Sequence, residues 1–116
     1  MKPRVLFIVT GDPRSSTRPA EAVRIAAGVS AWQKADITVY LRDTAVLALG
    51  ESSGVLMEEE NYARYWPMLA ESGQPIYVQK NASSLAKLGE AAVPFTEISD
   101  DQLAQLAAEQ TYVMRF

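Results

Sequence analysis

Two polar turns follow apolar runs in this sequence, and they contain the residue types best suited to ligand chemistry. The first, "TGDPRSSTRP" at 10–19, has guanidinium groups, hydroxyls and one carboxylate. The second, "QKNASS" at 79–84, has amides, an ammonium group and hydroxyls. Each follows a predicted strand, and open α/β sheets usually bind ligands at the carboxyl ends of their strands.

The first turn is suited to a small anion such as phosphate, because arginines stand there beside the start of a predicted helix. It has neither the Gly-Lys-Ser/Thr ending of a Walker A loop nor the GxGxxG pattern of dinucleotide-binding folds. The alternative is that the hydroxyls only cap the helix and the arginines are solvated. The candidate ligand-binding residues here are Thr10, Gly11, Asp12, Arg14, Ser15, Ser16, Thr17 and Arg18.

The second turn is a weaker candidate for the same kind of role. Gln79, Lys80, Asn81 and Ser83 could present amide, ammonium and hydroxyl groups to a ligand, whereas the structural alternative makes Ser83 a helix cap. Asp12 is the one carboxylate of the first turn, and one carboxylate is poor support for catalysis or metal binding. We therefore predict no catalytic residue and no metal ligand.

Whole reaction classes are excluded because the chain contains neither cysteine nor histidine. It cannot assemble a Ser-His-Asp triad, a Cys-His pair, a Cys/His zinc site or a persulfide. The net charge of −3 shows no electrostatic footprint for nucleic acid. No basic cluster suits a membrane surface, and the first apolar run is too short for a signal peptide or a membrane span. We expect a cytoplasmic protein.

The apolar patterns predict one domain over residues 1–116, with a parallel sheet covered by helices on both faces. The strands are predicted at 4–10, 36–41, 74–79, 92–98 and 111–116, with helical patterns between them. Ser99 and Gln102 are spaced as a capping box for the last helix. Pro94 places the fourth strand at or near an edge, and Pro67 should kink or divide a long helix. The segment 50–55, with two glycines, is predicted to be a mobile loop.

Three aromatic residues recur at helical spacing in the segment 57–73. Tyr62, Tyr65 and Trp66 are candidates for a subunit interface, because the cluster is dense for one helix face of a small domain. Packing in the core is the alternative and the commoner reason for such a stripe.

Taken in order, four segments of the chain resemble the DsrE/DsrF-like family, which includes the DsrE and TusD types of sulfur-relay proteins. The resemblance implies a three-layer α/β/α sandwich with a five-stranded, mainly parallel sheet. We expect no cofactor. It also implies assembly into trimers or hexamers, either homomeric or mixed with a DsrE-family paralogue. The segments are "VLFIVTGDPRSSTRPAEAVRIAAG", "VYLRDTAVLAL", "LAESGQPIYVQKNASSLAKLG" and "EISDDQLAQLAAEQTYVMRF".

One departure from the family pattern decides what the resemblance implies about function. In sulfur-carrying members a cysteine follows the third strand, where this chain has Gln79, Lys80 and Asn81. The resemblance therefore implies a non-catalytic member that self-associates and binds a small ligand or a partner.

A second resemblance supports a different function. "TGDPRSSTR" is similar to the phosphate loop of flavodoxin-like NADPH-dependent FMN reductases, in which Ser15 to Thr17 would hold the FMN phosphate beside Arg14. The chain is short for that family, and no second flavin-binding loop follows the third strand. We rank this alternative second.

Overall fold

The computed structural model describes residues 2–50 and 56–116, so the predicted mobile loop lies, apart from Gly50, outside the described residues. All the predicted strands are present, and helical segments alternate with them. The strands are β1 (Arg4–Val9), β2 (Asp36–Leu41), β3 (Ile76–Gln79), β4 (Thr96–Ile98) and β5 (Tyr112–Arg115). The helices are α1 (Arg18–Ala31), α2 (Glu59–Glu71), α3 (Asp100–Ala108) and two 3-10 helices, Asp43–Leu49 and Ser83–Lys87.

The strands form one five-stranded sheet in the order β4-β3-β2-β1-β5, and every neighbouring pair is parallel. From β1 to β4 the chain moves steadily in one direction, and it then returns to the far side of β1 as β5. Because parallel crossovers are right-handed, this reversal puts α3 on the face opposite to α1 and α2. The result is the expected three-layer α/β/α sandwich, with β4 at an edge as Pro94 predicts.

The two faces of the sheet are covered unequally. The larger core packs side chains such as Phe7 and Val39 against α1, α2 and the 3-10 helices. On the other face Leu6, Tyr40 and Ile98 form a smaller cluster, which neighbouring strand residues and the apolar side of α3 cover. No residue of α3 is fully buried, so this second layer is thin.

Two helix details differ from the sequence pattern. The pattern places Trp32 on the buried face of the first helix, but its side chain is 75% exposed. The buried face is centred on Val23, Ala26 and Ala27, and the helix ends before Trp32, which is its C-cap. In α2, Pro67 lies inside the helix without dividing it, on the exposed surface.

The capping box at the start of α3 is confirmed. The Ser99 hydroxyl accepts the Gln102 backbone N–H at 3.2 Å, and the Gln102 side-chain oxygen accepts the Ser99 N–H at 2.8 Å. Two backbone donors at the helix end are thereby involved in reciprocal bonds. None of the helices in the described ranges is long and apolar enough to cross a membrane.

We expect Ser99→Ala to lower the free energy of unfolding by about 0.5–2 kcal/mol, because the Gln102 N–H loses its acceptor. Urea unfolding followed by circular dichroism measures the loss. Ser83→Ala is the matched control, since Ser83 is exposed and provides no cap to its 3-10 helix. Its effect should stay within about ±0.5 kcal/mol, and equal losses in the two variants would contradict the role of Ser99.

Candidate functional site

The strand order singles out one place at the carboxyl edge of the sheet. The order in which strands are added to the sheet reverses between β1 and β5, although the two strands are parallel. In open α/β sheets a crevice for ligands lies at such a switch point. The loop 10–17 leaves β1 there, and Phe116 follows β5. The Thr10 N–H donates to the Phe116 carbonyl at 2.9 Å, so the first predicted turn borders the switch point.

The backbone of this loop is largely satisfied by its own atoms. The Asp12 carbonyl accepts the N–H groups of Ser15 and Ser16 at 3.1 and 2.9 Å. The Asp12 carboxylate accepts the Arg14 N–H at 2.9 Å, and the Ser16 hydroxyl accepts the Arg18 N–H at 3.2 Å. These four amides are not open to an anion. The structure favours the capping alternative, with Ser16 and not Thr17 as the side chain that bonds the start of α1.

Arg14 is also occupied within the loop. Its Nε and Nη2 donate to the two carboxylate oxygens of Asp12 at 3.0 and 2.8 Å, which makes a bidentate pair. The Arg14 side chain, by its hydrogen bonds and its charge, lowers the pKa of Asp12, and Asp12 in turn raises the pKa of Arg14. An anion that uses Arg14 must therefore displace Asp12.

We expect Arg14→Ala to raise the pKa of Asp12 toward the ordinary aspartate value of about 3.9. The rise should be partial, because the backbone N–H at position 14 still bonds the carboxylate. Since the native pKa is depressed, the pair stabilises the fold above the unfolded pKa, and this is lost as pH falls through the native pKa. NMR titration of the Asp12 carboxyl carbon measures the shift. Arg24→Ala, on the exposed side of α1, is the control, and an unchanged midpoint in Arg14→Ala would contradict the pairing.

Arg18 spans the switch point. Its guanidinium carbon lies 5.6 Å from the centre of the Phe116 ring, and Nη2 donates to the Arg115 carbonyl at 3.3 Å. Phe116 in turn stacks on Phe7, with ring centres 5.7 Å apart. The side chain thus ties the start of α1 to the end of β5 by a cation–π contact and a hydrogen bond.

The second predicted turn is anchored to its neighbours. The Gln79 side-chain oxygen accepts the Asp43 N–H at 2.9 Å. Beyond it, the Asn81 N–H donates to Glu97 at 3.4 Å, and both Asp43 and Asn81 have left-handed backbone, with φ of 54° and 62°. Gln79 therefore serves to join the ends of β2 and β3. Ser83 makes no cap bond, so the capping alternative for it is wrong.

The two turns share an edge of the sheet but follow strands that are not neighbours. Strand β2 separates β1 from β3, and two strand spacings amount to about 10 Å. Lys80 and Ser83 are exposed on the far side of that gap. Within residues 2–50 and 56–116, no three acidic side chains are grouped as metal ligands would be.

Sequence reasoning missed one polar cluster at this edge. Arg42 donates through Nη1 to the Tyr40 hydroxyl at 3.0 Å and to the Asp100 carboxylate at 2.8 Å. Burial raises the pKa of Tyr40 against the opposing effect of Arg42, and the guanidinium lowers the pKa of Asp100. The cluster ties α3 to β2 and holds no unpaired acid or base. Asp100 is 58 positions from Arg42, so no local pattern could reveal it.

The aromatic residues of α2 divide into two groups. Trp66 is 0% and Tyr62 3% exposed, their rings stack at 6.5 Å, and the indole N–H donates to the Ala48 carbonyl at 2.9 Å. Core packing accounts for both, so their side chains are not available to a partner subunit and the interface prediction is corrected for them. Tyr65 is half-buried, with the Arg64 guanidinium 5.8 Å from its ring centre. It alone stays a predicted interface residue.

The family and structure comparisons agree with this architecture. The model of the DsrE/DsrF-like family matches residues 3–116. No protein of curated function matches the chain. Among solved structures, the crystal structure of the YchN protein from E. coli matches with a TM-score of 0.79 and covers 100% of both chains, at 20% identity. At that identity the likeness shows a common fold alone.

Proposed function

The chain belongs to the DsrE/DsrF-like family, and from this premise we propose that it is a cytoplasmic, non-catalytic member that self-associates and binds a partner protein. One observation supports this most strongly: the chain contains no cysteine, and Gln79, Lys80 and Asn81 occupy the turn after β3. A persulfide needs a thiolate, which an amide or an ammonium group does not replace.

The hydrogen bonds of that turn also support a non-catalytic role. Gln79 uses its side-chain oxygen to join β2 and β3, which is a structural task. Asn81 occupies a left-handed position, φ 62°, that asparagine tolerates better than most residues. Gln79 and Asn81 therefore serve the strand connection, and neither amide side chain is a nucleophile.

A partner protein is favoured over a small anion because the first turn is closed on itself. Arg14 is paired with Asp12 at 2.8 Å, and the neighbouring amides donate within the loop. If an anion nevertheless binds, Arg18 is the side chain that it should use. Titration with inorganic phosphate tests this: Arg18→Ala should then abolish the heat of binding while Arg24→Ala retains it.

The flavodoxin-like alternative receives no support. In flavodoxin-like sheets β1 lies between β2 and β3, whereas here β1 lies between β2 and β5. We expect added FMN to leave the melting temperature unchanged. Binding at about a hundred times its Kd would stabilise the fold by about 2.7 kcal/mol, so an upward shift of that size would restore the alternative.

The proposal is tested by exposing purified protein to polysulfide and measuring its intact mass. We expect no stable gain of a sulfur atom, whereas Lys80→Cys should gain one, which shows that the assay detects a thiol in this turn. A stable sulfur adduct on the natural chain would contradict the proposal.

Self-association is tested separately by sedimentation velocity. We expect trimers or hexamers, the assemblies that the resemblance implies, and a strictly monomeric species at high micromolar concentration would contradict this part. Purification from the native host would reveal a DsrE-family paralogue if the assembly is mixed.

A further inference from the structure

The two edges of the sheet are protected very differently. The β4 edge is three residues long, has exposed Glu97 on it and is preceded by Pro94. Short length, charge and proline are the features by which natural proteins prevent strands from pairing at an edge. The β5 edge has Tyr112, Val113 and Met114 in succession, 62%, 42% and 41% exposed. It is one residue longer than β4, has no proline before it, and has its exposed charge, Arg115, only at its end.

The backbone of β5 also presents hydrogen-bonding groups outward. The Phe116 N–H donates to the Ile8 carbonyl, and the Phe116 carbonyl accepts the Thr10 N–H. The N–H and C=O of Phe116 thus face β1, and along a strand the backbone groups of alternate residues point the same way. Those of Val113 and Arg115 consequently face away from β1, toward the open edge, where the Arg115 carbonyl already accepts Arg18 Nη2 at 3.3 Å and the Val113 groups are the ones offered to a partner strand.

We propose that a second copy of the chain pairs with this edge, β5 against β5 in antiparallel orientation, about a twofold axis at Val113. The two five-stranded sheets then form one continuous sheet, and each Val113 exchanges N–H···O=C bonds with its counterpart. This inference rests on the self-association proposed above and specifies one contact within it: a twofold contact makes a dimer, and in a hexamer it pairs the subunits of two trimers.

The register follows from the side chains. A twofold axis normal to the sheet keeps each side chain on the same face of the sheet in both copies. Val113 must therefore lie opposite an odd-numbered residue of the second copy, in β5 or directly beside it. With Val113 opposite its counterpart, Tyr112 lies opposite Met114, and every exposed apolar residue of β5 faces an apolar residue. A shift to the next permitted register puts Val113 opposite Thr111 or Arg115.

A second copy fits this edge better than an unrelated strand because the edge is self-complementary. Aromatic and thioether side chains pair favourably across strands. In the Val113 register Arg115 lies opposite Thr111, so the like charges of the two copies do not oppose each other.

The absence of natural cysteine allows a direct test of the register. Opposed residues of a hydrogen-bonded antiparallel pair have Cα atoms about 5.5 Å apart, within disulfide range. Val113→Cys should therefore form a disulfide-linked dimer under copper phenanthroline oxidation. Tyr112→Cys and Met114→Cys are the controls, since each is displaced from its own counterpart by two residues, about 7–8 Å, and should link poorly.

Two further variants test the strength of the contact. Val113→Pro removes the outward N–H, and Met114→Lys puts a charge at the apolar centre. Each should weaken self-association by at least about tenfold in sedimentation equilibrium, with the circular dichroism spectrum retained. Met68→Lys is the matched control, because Met68 on α2 is also 41% exposed and should leave the association constant unchanged.

The outcomes separate this inference from the function on which it rests. A monomeric natural chain would overturn both, whereas a strict trimer would overturn the β5 pairing alone, because a twofold contact cannot close a ring of three. A natural oligomer that withstands Met114→Lys and Val113→Pro, or that links through position 112 or 114 in preference to 113, would overturn the β5 pairing alone. Linkage at 113 with loss of association in the variants supports it.

Discussion

Replacing Trp66 with alanine is expected to lower the free energy of unfolding by about 3–5 kcal/mol. The side chain is 0% exposed, stacks on Tyr62 and donates its indole N–H to the Ala48 carbonyl. The substitution opens a cavity in the larger core and leaves a buried carbonyl without its donor. Domains of this size have only about 5–15 kcal/mol of total stability, so the variant should lie close to unfolding.

The chain offers a matched control for this prediction in its other tryptophan. Trp32 is 75% exposed, so Trp32→Ala should change stability by no more than about 0.5 kcal/mol. The loss of stability in Trp66→Phe should lie between those of the two alanine variants, at about 1–3 kcal/mol. A ring still fills much of the space, but the Ala48 carbonyl has no donor. Urea unfolding measures all three variants. Equal stability of Trp66→Ala and Trp32→Ala would show that the α2 packing described above is wrong.

Phe7→Ala is expected to have a similar effect, about 3–5 kcal/mol, and to disturb the switch point as well. Phe7 is 1% exposed, and Phe116 stacks on it with an interplanar angle of 8°. The Arg18 guanidinium lies over the other ring. Loss of Phe7 therefore removes the ring on which Phe116 stacks and, through Phe116, disturbs the contact that Arg18 makes.

A double-mutant cycle with Phe116→Ala separates the ring contact from simple burial. Stacked aromatic pairs contribute about 0.5–1.5 kcal/mol beyond their buried area, so the double variant should lose less than the two single losses added together. Phe95→Ala, a half-buried phenylalanine outside the stack, is the control and should combine additively with Phe7→Ala. Additivity in the Phe7 and Phe116 cycle would contradict the stack.

The elements of this fold were predictable because they depend on neighbours in the chain. Strands β1 and β2 follow from runs of β-branched and aromatic residues, and β2 has the predicted limits. The start of α3 follows from Ser99 and Gln102, three residues apart. The family also followed from the sequence, since it rests on the order of such segments over nearly the whole chain. The absence of a thiol was also known from the sequence, because the composition contains no cysteine.

The tertiary structure decided which of these residues meet, because contacts between distant segments have no local signature. Tyr62 and Trp66 have the same spacing whether they face a core or a partner, and only the packing against Ala48 places them inside. Arg14 and Asp12 are only two residues apart, but their pairing depends on the conformation of the loop, which the residue types alone did not reveal. The order of the strands placed β5 at an edge beside β1. That position, and not its composition, is what leaves its apolar side chains exposed.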